Sequence, residues 1–351
     1  RDAFCGKISV CNDLRQYGYA YTLTDLHTVH VNSPAFKADL LRFISVCRVV
    51  NGLRKARFGA VGARPGAFNT VRYSEKLLQA CGVSVMTVDL SEVLGEANKL
   101  ADGDPKVNAW VDKITTYMPT PNIPTTALIK MAKLGIALDD WMAANDIDAT
   151  ALQCWNAIQK YYGVNACMLM SMMSEKLMPS ACEVDITGVA SMYALQLASG
   201  KPSALVDWNN NYGADPDKCV LFHCGNWAKS FYLDAHMAYA DVLATTLGAP
   251  NTYGAIAGRV PAGPMSYARL STDDEYASIT AYVGDGEFTA DPLNTFGSRA
   301  VVHVPDLQRL LKYICKNGFE HHVAMNPSHS AAALAEAFET YMGWDVYHHQ
   351  G

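Results

Sequence analysis

Apolar residues recur along this chain with two different periods, and the change between them divides it. Over residues 33–57 they stand at helical spacing, at Phe36, Leu40, Leu41, Ile44, Val49 and Leu53. That predicts an amphipathic helix with Ser33 and Pro34 as its start signal. Residues 58–62 then read as a short buried strand, followed by a Gly/Pro turn at 62–66. A helix is predicted over 70–80, stopped by Gly82, then a strand over 83–88, then a helix opened by the capping residues Asp89 to Glu92. Strand, turn, helix, strand, helix is the rhythm of a doubly wound parallel sheet. Residues 3–10 read as strand-like, 118–124 as a Pro-rich loop, and 126–145 and 149–162 as helices. Residues 166–172 read as an apolar strand and 186–199 as a helix ended by Gly200.

Beyond Gly200 the strands shorten and turns become frequent. Alternating segments at 266–270, 278–283 and 300–304 suggest an antiparallel barrel or sandwich, with helices at 306–316 and 330–342 packed on it. The expected architecture is α/β. A Rossmann-like, doubly wound domain over 1–200, with an N-terminal linker segment, precedes a β-barrel-type domain over 201–351.

Composition narrows the class without changing this picture. Half of the 351 residues are hydrophobic and 18% are charged, as in a globular protein with a large core. The net charge of −6 is spread without a Lys/Arg-rich stripe, which argues against nucleic acid or an anionic membrane as partner. No run of about eighteen apolar residues predicts a membrane span, and no signal-peptide pattern is seen. The ten cysteines form no C-x-x-C pair, so reduced, mostly buried thiols in a cytoplasmic protein are expected. The chain starts at Arg1 rather than Met, and a further segment upstream is expected.

Four stretches could carry chemistry. Glu183 and Asp185 sit where an apolar segment meets a helix start, the position at which open α/β sheets bind ligands. Acidic residues there also favour the helix dipole. Asp207 ends an apolar run before three asparagines, which suits a strand end or a turn. His223 lies inside a strand-like run and reads as a ligand or as a core residue. His321 and His322 are adjacent in an extended segment, so they are expected on opposite faces, with one reaching a site. His348 and His349 read as terminal tail. Two carboxylates and one histidine suit a divalent ion such as Mn²⁺ or Mg²⁺. With a sugar's carbonyl and hydroxyl oxygens in the remaining positions, that set could support an enediol proton transfer.

At these residues the chain resembles the L-fucose isomerase and L-arabinose isomerase superfamily, most closely the L-fucose isomerase-like proteins. The resemblance rests on GARPGAFN (62–69), ACEVDITG (181–188), VDWNNNYG (206–213), YVGDGEFT (282–289) and GFEHHVAM (318–325). It implies a Mn²⁺ ion held by Glu183, by Asp207 about two dozen positions on, and by a late histidine. Glu183 and Asp207 would also be the acid/base pair. The second member of the histidine pair is the ligand in the arabinose type, which selects His322. An Asp at 207 follows the fucose pattern, which does without a ligand at His223. The resemblance further implies two Rossmann-like domains before a barrel domain, of which this chain matches the second and third. It implies a homo-oligomer, trimer or hexamer, and a free sugar as substrate. The alternatives are a non-catalytic sugar-binding or regulatory protein on the same scaffold, or another metal enzyme such as a hydrolase or epimerase.

Overall fold

The computed structural model describes residues 3–351, which form a mixed α/β structure with two sheets. Its first helix, α1 (Ala3–Gln16), replaces the strand expected at 3–10. Phe4, Ile8 and Cys11 stand four and three apart, a helical rather than an extended repeat. No strand of either sheet pairs with the segment, so a helix is the form that satisfies its own backbone groups. In α2 (Pro34–Leu53), Ser33 caps the start by accepting from the Phe36 N–H at 3.2 Å. Val46, Val49, Val50 and Leu53 bury its second half, while Leu40, Leu41, Phe43 and Ile44 of the first half stay exposed.

The strands β1 (Arg57–Val61), β2 (Ser84–Val88), β3 (Ala149–Leu152) and β4 (Ser180–Cys182) form a parallel sheet in the order β2-β1-β3-β4. The helices of this region are α3 (Glu75–Ala80), α4 (Leu90–Lys99), α5 (Pro105–Tyr117), α6 (Thr125–Ala144), α7 (Ala157–Tyr161), α8 (Cys167–Glu175) and α9 (Ile186–Ser199). Pleating sends Phe58 and Ala60 of β1 towards α2 and α9, and Val61 towards the core of α4, α5, α6 and α8.

Several expected elements are corrected here. The helix expected at 149–162 is the strand β3 followed by α7. Ala149 to Leu152 are buried throughout between two parallel neighbours, and such a run has no alternation to distinguish it from a helix. The strand expected at 166–172 is α8, whose residues Cys167 to Ser174 are all buried, so it too lacks a polar face. The helix expected at 70–80 is shortened to α3, because Thr272 Oγ1 takes the Ser74 N–H at 2.8 Å. The unanticipated α5 carries ordinary signals, Asp104 accepting from the Lys106 N–H at 2.7 Å and Pro105 in the first turn.

The remaining strands are β5 (Ala204–Asn211), β6 (Lys218–His223), β7 (Asp234–Tyr239), β8 (Tyr253–Arg259), β9 (Gly263–Asp273), β10 (Ser278–Phe288), β11 (Ser298–His303), β12 (His322–Asn326) and β13 (Asp345–His349). Six of them close an antiparallel barrel in the order β10-β9-β12-β5-β6-β11, with β11 returning to β10 at Glu287↔His303 and Phe288↔Val302. Closure leaves this barrel no free edge. β8 adds in parallel to β11 and β7 antiparallel to β8. β13 adds in parallel to β10, so His348 and His349 are strand residues rather than tail, and His349 Nε2 donates to the Pro305 carbonyl at 2.8 Å. α10 (Asp241–Leu247), α11 (Leu307–Lys316) and α12 (Ala331–Glu336) complete the fold, the last running on into a π-helical turn, Ala337–Tyr341.

Helix α9 packs against α2 and β3 on one side and against β9 and β12 of the barrel on the other. It is therefore apolar nearly all round. Its first turn opens at the junction of the two sheets, and that is where the candidate residues gather. All ten cysteines are free; Cys154, Cys167, Cys182 and Cys219 are buried, fewer than expected, and Cys5 and Cys315 are exposed. No helix among the described residues is long and apolar enough to cross a membrane.

Candidate metal centre

The turn from β4 into α9 aims Glu183. Glu183 and Val184 both have positive φ, 62° and 55°, a conformation that costs non-glycine residues on the order of 1–3 kcal/mol each and gathers at functional sites. The Asp185 N–H closes the turn on the Cys182 carbonyl at 3.0 Å. Asp185 then caps α9, its Oδ1 accepting from the Gly188 N–H at 2.8 Å. Glycine is required at 188, because a Cβ there would stand 2.5 Å from Asp185 Oδ2.

Two antiparallel barrel strands supply the other side. His322 on β12 is the register partner of Asp207 on β5, which places both side chains on one face. His322 Nε2 lies 3.8 Å from Glu183 Oε2 and 3.8 Å from Asp207 Oδ1. His321 also joins the site, with Nε2 at 3.6 Å from Glu183 Oε2 and 3.9 Å from Asp207 Oδ1. The expected opposite facing of the two histidines does not hold. β12 begins at His322, so His321 sits in a bend outside the regular pleat, and the two rings are 3.9 Å apart. Phe68 stacks on the outer face of His321 at 5.9 Å. His223, at the end of β6, is buried against the same cluster. One donor atom from each of Asp207, His223 and His322 lies within 4.8 Å of the other two, as is true of Glu183, His321 and His322.

Behind these groups lies a buried charged network that the sequence reading did not identify. His322 Nδ1 donates to Asp185 Oδ2 at 2.9 Å, which leaves Nε2 facing the carboxylates. Arg269 on β9 grips Asp185 with Nη1 on Oδ2 at 2.6 Å and Nη2 on Oδ1 at 3.0 Å, and its Nε donates to Glu320 Oε2 at 3.1 Å. A lone arginine inside the alternating apolar stretch 266–270 was the available signal, since a fully buried Arg must be paired.

The electrostatics are those of a site short of positive charge. Burial, then the nearby Asp207 and Asp185, push the Glu183 carboxyl up to about 7 against the opposing pull of His322. Burial also raises Asp207. His322 is raised: burial opposes its charge, but the hydrogen bond and charge of Asp185, with Glu183 and Asp207, outweigh it. Burial acts on Asp185 in the same upward sense, yet Arg269 and then His322 hold that carboxyl well below the usual range. His223 is pushed down to about 3 and His321 to about 4, by burial first and then by the neighbouring histidines.

These residues fit a divalent cation. Glu183 Oε2, Asp207 Oδ1 and His322 Nε2 are buried without a hydrogen-bond partner, as is His321 Nδ1. Leaving such groups unpaired is costly. Glu183 clusters with His321 and His322, and Asp207 with His223 and His322, so the two carboxylates fall in separate groups that share His322; carboxylate oxygens and imidazole nitrogens are the donor types of Mn²⁺ and related ions.

Two parts of the chain match known families. Residues 221–349 match the family described as L-fucose isomerase, C-terminal domain, and residues 1–54 match fucose/sulfoquinovose isomerase, N-terminal domain. His223, Arg269, Glu320 and His322 lie inside the first match, and Glu183 and Asp207 lie between the two. The chain is similar to the sulfoquinovose isomerase of Priestia aryabhattai, 28% identical over 65% of this chain and 50% of that protein. It is similar to that of Clostridium sp. (strain MSTE9), 26% identical over 65% of this chain and 51% of that protein. It is also similar to that of Alkalicoccus urumqiensis, 25% identical over 81% of this chain and 63% of that protein. The chain thus spans about half the length of most of the curated relatives it matches. By both domain matches and by these relatives, the chain belongs to the L-fucose isomerase-like family.

Proposed function

We propose that this chain carries the metal-holding part of an aldose–ketose isomerase that works through an enediol. The observation that supports this reading is that unpartnered, buried donor atoms of Glu183 and Asp207 each lie 3.8 Å from the unpartnered His322 Nε2. These three residues would hold the ion, with Mn²⁺ favoured over Mg²⁺ because one donor is an imidazole. When bound, the ion polarises the sugar carbonyl and acidifies the neighbouring C–H.

Glu183 and Asp207 divide the proton work. One carboxylate takes the proton from C2 of the aldose, and the electron pair of that bond forms the C1–C2 double bond as the carbonyl oxygen is protonated. The proton then returns to C1, and the C2 hydroxyl gives up its own to leave the ketose. Without metal, burial raises the Glu183 carboxyl to about 7, and a bound cation would pull it back down towards the carboxylate form that takes a proton. His322 is oriented through its Nδ1–H by Asp185 and transfers no proton in this scheme.

The family resemblance points to a sugar of the L-fucose or L-arabinose type, and the relatives' name points to a sulfonated one. We also read the family's trimer or hexamer as the assembly of this chain, which light scattering tests. Calorimetric titration of the full chain with MnCl₂, followed by assay of L-fucose, L-arabinose and sulfoquinovose for ketose, tests the function. Glu183→Gln and Asp207→Asn should each weaken Mn²⁺ binding and lower turnover by about 10²–10⁴-fold. If both variants bind metal and isomerise as the parent does, the assignment fails. Sugar-dependent stabilisation without turnover on any aldose would favour a binding protein on this scaffold, and solvent oxygen in the product would favour a hydrolase.

A further inference from the structure

The metal-facing atoms Glu183 Oε2, Asp207 Oδ1 and His322 Nε2 are buried, although a cation and a sugar must reach them. His321 lies over them, its ring 3.9 Å from that of His322. Phe68 stacks on His321 with the ring planes 18° apart, and Trp155 meets Phe68 edge to face at 5.4 Å. Trp155 follows β3 and packs on the buried core around α6 and α8. Trp155, Phe68, His321 and His322 thus form a continuous row of rings that ends at the candidate centre.

Phe68 belongs to a loop with few other ties. At its start the Gly62 N–H is held by the Val88 carbonyl and the Ala63 N–H by Gln153 Oε1, both at 2.9 Å. At its far end Val71 is buried and the Ser74 N–H is held by Thr272. Between these anchors, every hydrogen bond of residues 64–70 among the described residues stays within residues 64–72. Gly66 stands in open space, with no atom within 4 Å of where a Cβ would sit. A segment attached in this way opens more readily than the elements beside it. What holds it over the centre is the ring of Phe68.

The loop also stands between two cavities. Arg64, Asn69 and Thr70 line one of about 790 Å³, while Thr70, Trp208 and His321 line the other, of about 420 Å³; Glu320 lines both. Lifting residues 64–70 would join them into one cleft with His321 on its floor.

We propose that residues 64–70 form a lid over the candidate centre and that Phe68 is its latch, whose ring must leave His321 before a cation or a sugar reaches Glu183, Asp207 and His322. Loops of this kind sequester a site and close it again after entry. The proposal rests on the reading of these residues as a metal centre and adds how that centre is entered.

The test compares the full chain with Phe68→Ala, Phe68→Leu and Phe68→Tyr, the folding of each checked by circular dichroism. In metal-free protein, labelling of the buried His322 by diethyl pyrocarbonate, located by mass spectrometry, reads how often the lid opens. The exposed His236 is the internal reference. Labelling of His322 relative to His236 should rise about tenfold in Phe68→Ala, the scale of one aromatic contact, less in Phe68→Leu, and hardly at all in Phe68→Tyr. Mn²⁺ uptake from MnCl₂ and Mn²⁺ release to a chelator are followed by the paramagnetic resonance signal of the free ion. Both should quicken together in Phe68→Ala, with Kd kept within about threefold, because the donor atoms are untouched. Labelling and metal exchange at the parent's rates in Phe68→Ala would overturn the proposal. A weaker Kd from faster release alone would also overturn it, since Phe68 would then support the donors rather than cover them. Faster labelling of His322 in Phe68→Ala, when neither variant nor parent binds Mn²⁺, would sink the metal-centre reading and leave the lid standing.

Discussion

Arg269 joins two buried carboxylates, and its removal tests whether that network holds the site together. Arg269 and Asp185 are fully buried and Glu320 nearly so. Arg269→Met keeps most of the side-chain length but leaves Glu320 without its counter-charge and Asp185 with His322 alone. Breaking a buried pair by removing one partner costs about 3–5 kcal/mol. We take that whole range rather than summing hydrogen bonds, since the bonds share one guanidinium and are not independent. The assay is urea denaturation of metal-free protein followed by circular dichroism, parent against variant, at pH 8 and at pH 5.

The pH comparison carries the sharper prediction. In the parent, Arg269 and His322 hold Asp185 below the ordinary carboxyl range against the upward push of burial. A depressed carboxyl contributes stability above its unfolded value, and that stability is lost only as pH falls through the lower folded value. The parent's contribution from Asp185 is therefore intact at both pH values. In Arg269→Met burial acts without that cation, the Asp185 carboxyl rises, and its protonation towards pH 5 relieves part of the cost. The destabilisation should be smaller at pH 5 than at pH 8. Arg269→Lys should recover less than half of the loss, because an ammonium cannot make the two-pronged contact. A loss below about 1 kcal/mol that is the same at both pH values would refute the role given to this network.

Further outcomes follow from the same geometry. Asp185→Asn should weaken Mn²⁺ binding by about 10–100-fold in calorimetry, because the partner that orients His322 is replaced; an unchanged affinity removes Asp185 from that role. Gly188→Ala should weaken Mn²⁺ in the same direction and lower the unfolding midpoint, since its Cβ displaces the Asp185 carboxylate; a variant indistinguishable from the parent in both would show that the turn relaxes freely. Glu183 is raised to about 7 in the metal-free protein, so the folded state favours its protonated form. Metal-free stability should fall as pH rises from the ordinary glutamate value through 7, by up to about 3 kcal/mol. Apparent Mn²⁺ affinity should rise over the same window and level off above it, and Glu183→Gln should flatten both trends.

The elements that could be read from the residues are those whose signals are local. Helix α9 carries its cap at Asp185 and its left-handed stop at Gly200 within one continuous segment. The barrel strands β9 and β10 are bounded by turn signals, although both faces are buried over Met265–Leu270 and over Ala281–Gly284. Where both faces are buried the periodicity vanishes, and β3 and α8 were then exchanged, one for a helix and one for a strand. The first half of α2 illustrates another limit. Leu40, Leu41 and Ile44 sit at helical spacing as a core-facing stripe would, yet they are exposed here. Spacing reports that a face is apolar, not what covers it.

The site was legible in a different way. Glu183 could be placed at a strand end, because a carboxylate that closes an apolar run marks the boundary itself, whereas Asp207 lies inside β5, which runs on through the three asparagines to Asn211. That Asp207 shares a face with His322 depends on the pairing of β5 with β12, which join residues 115 positions apart at His322↔Asp207, and no local pattern encodes that register. The facing of His321 failed for the same reason, since the argument assumed a regular strand through both histidines and the strand starts at the second. Arg269 and Glu320 show the deeper limit. Each reads alone as a charge in the wrong place, and only closure of the barrel onto the start of α9 makes them partners. The positioning layer of a site is thus harder to read than its metal-facing layer. Ligating residues are chosen for chemistry that residue type reveals, whereas the residues behind them are chosen for charges that only the fold brings together.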